Sequence, residues 1–525
     1  MHQVSQGGIM SGSSPTPLKL KHKVRVILEK LARRRQTAHS TGERVQIILL
    51  AARGLSNREI TRQLHLYRGT VQRWRERWQA ANERLVVAMD AQVSEPVLYQ
   101  ANTASINLSK VVVLITAGGK GTRLWPLSTN SRPKQFCSLI AEQTMLQLMF
   151  TRVIGLLPVE RIFVISTSEQ ASLIKQQLPD LGEENVIIEP EARDTASAIG
   201  YAAVYIENKI PDATMVVLAS DQYIEQVYKF QESILTSIKI AQNGNYLVSV
   251  GIVPTEPNTE YGYMKCGKEI EFGSGIYSGI SYVEKPDFDT AKFFVESGSY
   301  LWNTNMFVWK IKNLLNAFKF YQPNTYAIFR KIQCQLNTIS FQELHLIYKK
   351  LEKKSIDYAL MEQIKPGDLF QHAFVAGTFG WSDLGNFLTL AKFLESDLDG
   401  NRFKGFVKQE ASKDCIFICE PPYELYVAEA LRLIVVISKL GDVLITSVDS
   451  VKNIKHFFQT SVYNNLNKDR DIQEDTSNRM TKILNTKNLT FDTDNNNAVY
   501  AFEVQNLMIQ IRGYRICIYD NTTCK

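Results

Sequence analysis

The feature that most constrains this chain is an apolar strand that runs into a glycine-rich turn. Val111–Ile115 is an apolar, mostly β-branched run, the pattern of a strand buried within a parallel sheet. The sequence GGKG follows at 118–121, and glycines, which lack Cβ atoms, let backbone N–H groups approach an anion closely. Arg123 and Lys134 add two positive charges in the loop that comes next. This arrangement predicts the binding of a nucleoside triphosphate.

Two commoner glycine motifs do not fit this turn. A P-loop requires the spacing GxxxxGK[ST], which does not occur here. A dinucleotide-binding turn requires GxGxxG, but Leu124 stands where the third glycine would be. Pro126 also interrupts the helix that such a turn would open. The turn therefore belongs to another class of nucleotide-binding site.

Length and composition favour a globular protein of several domains. The 525 residues are enough for about three domains of ~150 residues each. No apolar run reaches the ~20 residues of a membrane span, and Met1–Pro17 lacks the apolar core of a signal peptide. Seven cysteines without a CxxC pair favour a reducing compartment over a disulfide framework. We therefore expect a cytoplasmic protein without a membrane partner.

The net charge of +7 is distributed unevenly along the chain. Residues 1–90 contain 17 Lys and Arg against 6 Asp and Glu, whereas the remainder contains 43 against 47. The basic character therefore belongs to the N-terminal end alone. This asymmetry predicts two parts with different partners.

The basic N-terminal part has the pattern of a helix-turn-helix. Helices are predicted over Val24–Arg35 and Thr41–Arg53, and Ser56 is a suitable cap for a further helix that runs to about Leu64. After a short turn, residues 70–78 predict another helix that packs against the previous one. In a helix-turn-helix this last helix enters a DNA major groove.

The segment GLSNREITRQLHLYRGTVQRWRERW, at 54–78, resembles the helix-turn-helix of insertion-sequence transposases. The resemblance implies that bases are contacted by Arg68, Thr70, Gln72 and Arg73, and phosphates by Arg75 and Arg77. Two other interpretations stay open, a solvated basic helical pair and a fused remnant without function. Because no transposase carboxylate set follows, the segment is interpreted as a DNA-binding fragment.

From Ser109 onward strands and helices alternate. The apolar pattern predicts strands at Val111–Ile115, Arg161–Ile165, Val186–Glu189, Met215–Ala219 and Tyr246–Gly251. Helices are predicted between them at Gln143–Ile154, Ser168–Gln177, Thr195–Glu207 and Phe230–Gln242. This order indicates an α/β fold with a parallel or mixed sheet, in which ligands bind beyond the carboxyl ends of the strands.

The segments GGKGTRLWPLS at 118–128 and RPKQF at 132–136 resemble the signature of sugar-nucleotide pyrophosphorylases, specifically bacterial mannose-1-phosphate guanylyltransferases. Further segments resemble this family in order along the chain. They are EPEARDTA (189–196), LASDQ (218–222), GIVPTEPNTEYGY (251–263), VEKP (283–286), YLWNTNMF (300–307), SIDYALME (355–362) and GWSDLG (380–385). The fold implied is a Rossmann-like nucleotidyltransferase body with a mixed sheet.

The resemblance also implies a role for individual side chains. Nucleotide contacts fall to Gly118, Gly119, Gly121, Thr122, Arg193 and Asp194. Catalytic charges fall to Arg123, Lys134 and Lys285, sugar contacts to Tyr261, Gly262, Glu284 and Asn303, and Mg²⁺ ligation to Asp221 and Asp383. From the residues alone, Asp194 is equally well explained as a helix cap, and Asp221 as a turn residue.

Four positions depart from the family pattern. Ala219 replaces a proline and Gln222 a histidine beside Asp221, so the shape of that loop is less certain than its carboxylate. Glu260 and Asn305 each replace a glycine. Asparagine tolerates positive φ better than most residues, so we expect the change at 305 to be mild.

The chemistry implied by the resemblance suits these residue types. The phosphate of a sugar 1-phosphate attacks the α-phosphorus of a nucleotide, and pyrophosphate leaves. Because the second pKa of a phosphate monoester is about 6, the nucleophile is already ionised at neutral pH and needs no general base. The reaction needs alignment of two polyanions and neutralisation of charge, which Lys, Arg and one Mg²⁺ held by two carboxylates supply.

The domains expected are a basic helix-turn-helix segment with linker at 1–95, a nucleotidyltransferase domain at 109–395 and a small β-rich domain at 396–458. Residues 459–525 are predicted to be a polar tail, within which 497–519 alternates weakly, like one or two strands. Because no histidine follows His456, the metal site of the cupin domain in many family members is absent. We therefore expect no isomerase activity.

The resemblance thus implies a mannose-1-phosphate guanylyltransferase that uses GTP, mannose 1-phosphate and Mg²⁺ and carries a fused helix-turn-helix with DNA as a further candidate partner. One alternative is another sugar-1-phosphate nucleotidylyltransferase. A second is a DNA-binding protein built on an inactive nucleotidyltransferase body. The oligomeric state is left open, a homo-oligomer included.

Overall fold

The computed structural model describes residues 39–53, 55–64, 66, 71–72, 75, 106–119, 122–271, 274–450, 482–484, 490–493, 499–502, 504, 507–512 and 514–520. The chain divides into two units, Met1–Ala104 and Ser105–Lys525, and each is considered by itself. The predicted helix Val24–Arg35 lies outside the described residues. No helix within those ranges is both long and apolar enough to cross a membrane.

The described residues of the N-terminal unit include the helices α1 (His39–Ala52) and α2 (Asn57–Leu64). Helix α2 begins where Ser56 was predicted to cap it. The Ser56 hydroxyl accepts a 3.3 Å hydrogen bond from the Glu59 N–H, and the Glu59 carboxylate accepts a 2.7 Å bond from the Ser56 N–H. This reciprocal pair satisfies two backbone donors at the helix start, which explains why the helix begins there.

The helix after the turn is described at residues 71, 72 and 75, which are helical. Val71 and Ile60 are fully buried in one cluster with the C-terminal half of α1. The predicted packing of the last helix against α2 is therefore confirmed at these residues.

The second unit alternates strands and helices over its first half. Its helices are α3 (Met145–Ile154), α4 (Ala171–Gln177), α5 (Asp194–Lys209), α6 (Val227–Gln242), α7 (Phe288–Ser297), α8 (Ile311–Tyr321), α9 (Pro323–Gln335), α10 (Phe341–Tyr348) and α11 (Phe387–Ala391). Its first strands are β1 (Val111–Thr116), β2 (Ile162–Thr167), β3 (Val186–Glu189), β4 (Thr214–Ala219), β5 (Tyr223–Ile224), β6 (Tyr246–Ile252), β7 (Gly262–Glu271), β8 (Ile276–Glu284), β9 (Tyr300–Lys310), β10 (Gln371–Gly377) and β11 (Trp381–Ser382). The five strands and four helices predicted over 111–251 are all present, with ends that differ by a few residues.

Nine of these strands form a mixed sheet in the order β3-β2-β1-β4-β9-β6-β10-β8-β7, and β7 also pairs with β9. Strands β1 to β4 are parallel to one another, and β6 is parallel to β10. Strand β9 runs antiparallel to both β4 and β6 and so joins the two parallel groups. Residues 111–115 are buried throughout, as expected for a central strand with both faces covered. The prediction of a mixed sheet is confirmed.

Strands β5 and β11 form a separate small antiparallel ribbon, in which Trp381 pairs with Ile224 and Ser382 with Tyr223. Asp221 lies two residues before β5, and Asp383 directly follows β11. The ribbon thus brings two loops that are more than 150 residues apart in sequence to one edge of the sheet.

The C-terminal strands form a β domain of two sheets. The strands are β12 (Glu395–Ser396), β13 (Arg402–Gly405), β14 (Val407–Glu410), β15 (Ile416–Cys419), β16 (Glu424–Ala428), β17 (Leu433–Ile437), β18 (Val443–Ser447), β19 (Lys482–Leu484), β20 (Thr490–Thr493), β21 (Val499–Phe502), β22 (Leu507–Arg512) and β23 (Arg515–Asp520). One sheet has the order β12-β13-β15-β17-β18-β21-β19, and the other β14-β16-β23-β22-β20.

This β domain extends past the predicted boundary at residue 458. Strand β21 pairs with β18, and β23 pairs with β16, so strands from the expected tail lie inside both sheets. Ile509, Ile511, Ile516 and Ile518 are fully buried in the core between the sheets. The described part of 482–520 is therefore structured β domain and not polar tail, because its alternating isoleucines complete an apolar core that residues 396–450 begin.

The β domain also packs against the loop that follows the glycine turn. Leu124, Leu127 and Leu139 share a buried cluster with residues of β15, β17 and β18 and with α11. The Lys404 ammonium donates to the carbonyl oxygens of Ser138 and Leu139. The β domain therefore packs against and supports the loop that carries Arg123 and Lys134.

Candidate active site

The side chain of Gln135 holds the glycine turn that follows β1. Its side-chain amide donates to the carbonyl oxygens of Ala117, Gly118 and Gly119 at 2.9, 3.2 and 3.3 Å. Gly119 has a φ of +92°, a backbone conformation that residues with a Cβ rarely adopt. Gln135 is 2% exposed, so it fixes the path of the turn without facing solvent.

Of the other predicted nucleotide contacts, Gly121 lies outside the described residues, and the Thr122 side chain is likewise not described.

Lys134, next to Gln135, joins the two aspartates that were predicted to bind metal. Its ammonium donates to the Asp221 carboxylate at 3.0 Å and also to the backbone carbonyl of Asp383. Lys134 is buried although it is charged, and such burial requires a partner of opposite charge. The prediction that these three residues share one site is consistent with this geometry.

Asp383 is held in place by two hydrogen bonds to a single carboxylate oxygen. Its Oδ1 accepts a 3.1 Å bond from the Tyr261 hydroxyl and a 3.1 Å bond from the Gly385 N–H. The Tyr261 ring packs edge-on against both Trp302 and Trp381, with centroids 5.2 Å apart in each case. Burial and the charge of Asp383 raise the pKa of Tyr261, so its hydroxyl stays protonated and donates.

Gln222, which departs from the family pattern, has a structural role beside Asp221. Its amide nitrogen donates to the Thr304 carbonyl at 2.5 Å, and its amide oxygen accepts from the Trp381 indole at 3.1 Å. Gln222 is almost fully buried. An amide, which donates and accepts at once, therefore fixes the loop that carries Asp221. Ala219, the second departure, stays in β4 in register with Thr116 of β1.

The predicted sugar contacts form a second group at the start of β7 and the end of β8. Gly262 pairs with Glu284, and a Cβ at Gly262 would come within 2.1 Å of the Glu284 carboxylate and 3.3 Å of the Asn303 Cβ. The glycine is needed here because it leaves the space in which these two side chains meet.

Lys285 and Tyr261 connect these predicted sugar contacts to the group formed by Lys134, Asp221 and Asp383. The Lys285 ammonium donates to the Glu284 carboxylate at 2.8 Å, and its N–H donates to the Tyr261 carbonyl at 3.3 Å. Burial lowers the pKa of Lys285, but the hydrogen bond and charge of Glu284 outweigh it, so the net pKa is raised. Lys285 is therefore a permanent cation beside the predicted sugar contacts.

Next to these residues lies Asp357, a carboxylate to which the sequence analysis assigned no role. It begins a π-helical turn, Asp357–Met361, and accepts a 2.8 Å hydrogen bond from the Asn303 side-chain amide. Burial, followed by the negative charge of Glu284, raises the pKa of Asp357 to about 7. The motif SIDYALME contained this signal, but only the fold brings its aspartate under Asn303.

Asn305, the third departure, adopts φ of +55°, as expected for an asparagine in place of a glycine. Its backbone N–H donates to the Asn303 side-chain oxygen at 3.0 Å. Glu260, the fourth departure, lies 3.5 Å from the Arg123 guanidinium. Arg123 itself is part of a short helical turn, Thr122–Leu124, next to the glycine turn.

Arg193 and Asp194 are placed differently from the rest. The Arg193 guanidinium binds the Glu191 carboxylate at 3.2 Å and the Leu351 carbonyl at 3.0 Å. Asp194 begins α5 with φ of +66°, and its carboxylate accepts a 2.7 Å bond from the Thr195 N–H. These contacts are internal to the fold, and nucleotide contact by either residue stays a prediction.

Of the predicted DNA-contacting residues, Arg68, Thr70 and Arg73 lie outside the described residues, while Gln72 is helical and exposed. Arg75, which was expected to contact phosphate, is buried, and its guanidinium donates to the Leu55 carbonyl at 2.9 Å. Burial lowers the pKa of Arg75. The structure thus differs from that expectation, because this arginine anchors the turn between α1 and α2.

Comparison with known proteins matches both units to families. Residues 112–400 match the nucleotidyl transferase family, and residues 38–85 match the homeodomain-like domain. The second match agrees with the predicted helix-turn-helix.

Individual relatives point to the same family. The mannose-1-phosphate guanylyltransferase of Escherichia coli is 32% identical over 363 residues, which cover 67% of this chain and 75% of the relative. The xanthan biosynthesis protein XanB of Xanthomonas campestris is 33% identical over 352 residues, covering 66% and 72%. The crystal structure of mannose-1-phosphate geranyltransferase from Thermus thermophilus superposes with a TM-score of 0.59 at 28% identity, over 68% of this chain and 99% of that one. The chain therefore belongs to the nucleotidyl transferase family and is a nucleotidyltransferase, with mannose-1-phosphate guanylyltransferases among its relatives.

Proposed function

We propose that this nucleotidyltransferase converts GTP and mannose 1-phosphate to GDP-mannose and pyrophosphate, a step in polysaccharide biosynthesis. A phosphate oxygen of mannose 1-phosphate forms a bond to the α-phosphorus of GTP. The bond from that phosphorus to the oxygen bridging the α- and β-phosphates breaks, and its electron pair leaves with pyrophosphate. The support is the similarity to guanylyltransferases over two thirds of the chain together with the arrangement of the site.

The observation that carries the proposal is the position of Lys134 between Asp221 and Asp383. A buried ammonium and two aspartates lie next to the glycine turn, where Gly118 and Gly119 have free space at their Cβ positions. Through Tyr261 this group connects to Glu284 and Lys285. A polyanion bound beside Lys134 and a sugar phosphate bound beside Lys285 would therefore be neighbours.

The role of the protein in this reaction is to align and neutralise. Lys134 and Arg123 carry the positive charge for the triphosphate, and Lys285 that for the incoming sugar phosphate. Glu284 and the side-chain oxygen of Asn303 offer acceptors to sugar hydroxyls. No side chain has to remove a proton, because the attacking phosphate, whose second pKa is about 6, is ionised at neutral pH. Fixed charges of this kind stabilise the charge that develops on the leaving pyrophosphate.

Members of the nucleotidyl transferase family generally use a divalent metal ion. No group of three or more His, Cys, Asp or Glu that could hold a metal occurs among the described residues. Mg²⁺, however, is commonly held by one or two carboxylates together with substrate phosphates and water. Asp221 and Asp383 fit that donor set, and we propose that they hold Mg²⁺, which supplies charge neutralisation at the phosphates.

Pyrophosphate release by the purified chain, with Mg²⁺, mannose 1-phosphate and each nucleoside triphosphate separately, tests the proposal. We expect release with GTP, and its loss by 100-fold or more in Asp221→Asn, because one carboxylate of the metal site is removed. Asp180→Asn, a change at an exposed aspartate away from the site, is the matched control. Release with a different triphosphate would support another sugar-1-phosphate nucleotidylyltransferase. No release with any triphosphate or sugar phosphate would reject the enzymatic proposal.

We also propose that the N-terminal unit binds DNA, since residues 38–85 match the homeodomain-like domain and residues 1–90 carry an excess of positive charge. Binding to a mixed-sequence duplex at rising salt concentration tests this. Affinity should fall steeply between 50 and 200 mM salt, as expected for phosphate contacts.

The free state of the six cysteines in the described ranges supports a cytoplasmic location.

A further inference from the structure

Glu260 places a carboxylate on the arginine that is proposed to bind the triphosphate. Its Oε2 lies 3.5 Å from the Arg123 guanidinium. The family resemblance predicts glycine at this position, so the carboxylate is an addition to the site. Arg123 therefore faces an anion from its own chain before any nucleotide arrives.

The loop that carries Glu260 is fixed by hydrogen bonds. The Asn258 side chain accepts a 2.8 Å bond from the Glu260 N–H. The hydroxyl of Tyr263, a fully buried residue, accepts a 2.9 Å bond from the Asn258 N–H and donates a 3.1 Å bond to its carbonyl. The backbone at Glu260 is thus anchored to the core of the sheet. From this anchored backbone the Glu260 side chain reaches the Arg123 guanidinium.

The pair itself is weak enough to open. The Arg123 side chain is 42% exposed and that of Glu260 58%, and ion pairs of such exposure contribute little because water and salt screen them. A triphosphate carries several negative charges and can bind a guanidinium through two parallel hydrogen bonds. A triphosphate would therefore displace the Glu260 carboxylate from Arg123. Breaking the Arg123–Glu260 ion pair, however, makes the binding of the triphosphate less favourable.

We propose that the Glu260 carboxylate competes with the nucleotide for Arg123 and so weakens nucleotide binding, without affecting the nucleotidyl transfer that follows. This inference rests on the proposed function, in which Arg123 contacts the triphosphate. The ligand concerned is a nucleoside triphosphate, and the competing group is the Glu260 carboxylate.

The test compares wild type with Glu260→Gln, which keeps the shape of the side chain and removes its charge. We expect the KM for GTP to fall about 2- to 5-fold, the range that an exposed ion pair supports, with kcat unchanged. The dissociation constant of GTP, measured by calorimetry without mannose 1-phosphate, should fall by the same factor. The difference between the two proteins should shrink at 0.5 M KCl.

Two controls separate this contact from a general effect of charge. Glu256→Gln removes a carboxylate of the same loop that pairs with Lys392 at 3.3 Å instead, and it should leave the KM for GTP unchanged. In an Arg123→Ala background, Glu260→Gln should have less than half of its effect. An equal effect in both backgrounds, or unchanged GTP affinity in Glu260→Gln, would overturn the inference.

The calorimetric measurement keeps this inference separate from the proposed reaction. If no triphosphate were turned over, the reaction would be rejected, while the affinities for GTP would still decide the role of Glu260. If GTP were turned over with equal affinity in both proteins, the inference alone would fail.

Discussion

The side-chain amide of Asn303 donates a 2.8 Å hydrogen bond to the carboxylate of Asp357. Both residues are buried, Asp357 with 7% of its surface exposed. The Asn303 side-chain oxygen accepts from the Asn305 N–H at the same time. The orientation of the Asn303 amide is therefore set from two sides, and Asp357 is the only one of its two partners that titrates.

We expect Asp357→Asn to make folding stability less dependent on pH. An unfolded aspartate has a pKa of about 3.9, whereas burial and the charge of Glu284 raise the folded pKa to about 7. A raised folded pKa means that the stability from this carboxyl is fully present below the unfolded pKa and is lost as pH rises through the folded pKa. Between pH 5 and pH 8 the wild type should therefore lose about 2–3 kcal/mol relative to the variant.

Thermal unfolding of both proteins at several pH values measures this difference. Asp180→Asn, at an exposed position, should follow the wild type at every pH. A constant gap between wild type and Asp357→Asn from pH 5 to pH 8 would mean that the carboxyl is ionised throughout, contrary to this prediction.

Lys134→Met should abolish most activity while leaving the fold intact. The change removes the ammonium that binds the Asp221 carboxylate and the Asp383 backbone carbonyl, so the site loses a positive charge proposed to bind the triphosphate. We expect kcat to fall about 100- to 1,000-fold, as for other removals of a group that stabilises transition-state charge. Pyrophosphate release measures the loss, and Lys175→Met, which removes an exposed lysine paired with Glu183, should have wild-type activity. A fall in GTP affinity with kcat intact would contradict a role in the transition state.

Gln222→Leu should destabilise the second unit and impair catalysis. The leucine keeps the volume but leaves the Thr304 carbonyl and the Trp381 indole N–H without their present partner. Because each buried polar group left unpaired costs about 1–3 kcal/mol, we expect a loss of about 2–4 kcal/mol in the free energy of unfolding. Thermal melts and pyrophosphate release measure both effects. Gln176→Leu, at an exposed glutamine of α4, should change neither, and a stable Gln222→Leu enzyme would show that water replaces the amide.

The sequence predicted the parts of the fold that local pattern determines. Strand β1 is an uninterrupted apolar run, and the glycine turn follows it directly, so both could be located from a few consecutive residues. The cap at Ser56 is similarly local, because donor and acceptor are three residues apart. Such features need no knowledge of the rest of the chain.

The supporting contacts of the site could not be predicted in this way. Gln135, Gln222 and Asp357 each act on residues that are distant in sequence, for example over 54 residues between Asp357 and Asn303. Their roles depend on which strands become neighbours in the sheet. A motif identifies the residue types that a site contains, but not which side chains hold them in position.

The C-terminal strands were predicted only in part, as one or two weak strands within 497–519, for a related reason. Strand β23 pairs with β16 across about 90 residues, and β19 to β22 are short segments separated by polar ones. Non-local strand pairs leave only a weak alternation in sequence, and here the polar composition of 459–493 dominated it. The predicted tail therefore contained strands that complete the β domain.

Arg75→Met should destabilise the N-terminal unit without affecting catalysis. The arginine is buried and its guanidinium donates to the Leu55 carbonyl, so the variant leaves that carbonyl without this donor in the turn between α1 and α2. We expect a loss of about 1–3 kcal/mol in the stability of this unit, seen as faster proteolysis within residues 39–75, with pyrophosphate release unchanged. Arg58→Met, at an exposed arginine of α2, is the matched control and should be cleaved at the wild-type rate. The opposite result, unchanged proteolysis with a salt slope of DNA binding reduced by about one, would mean that Arg75 leaves its buried position to contact phosphate.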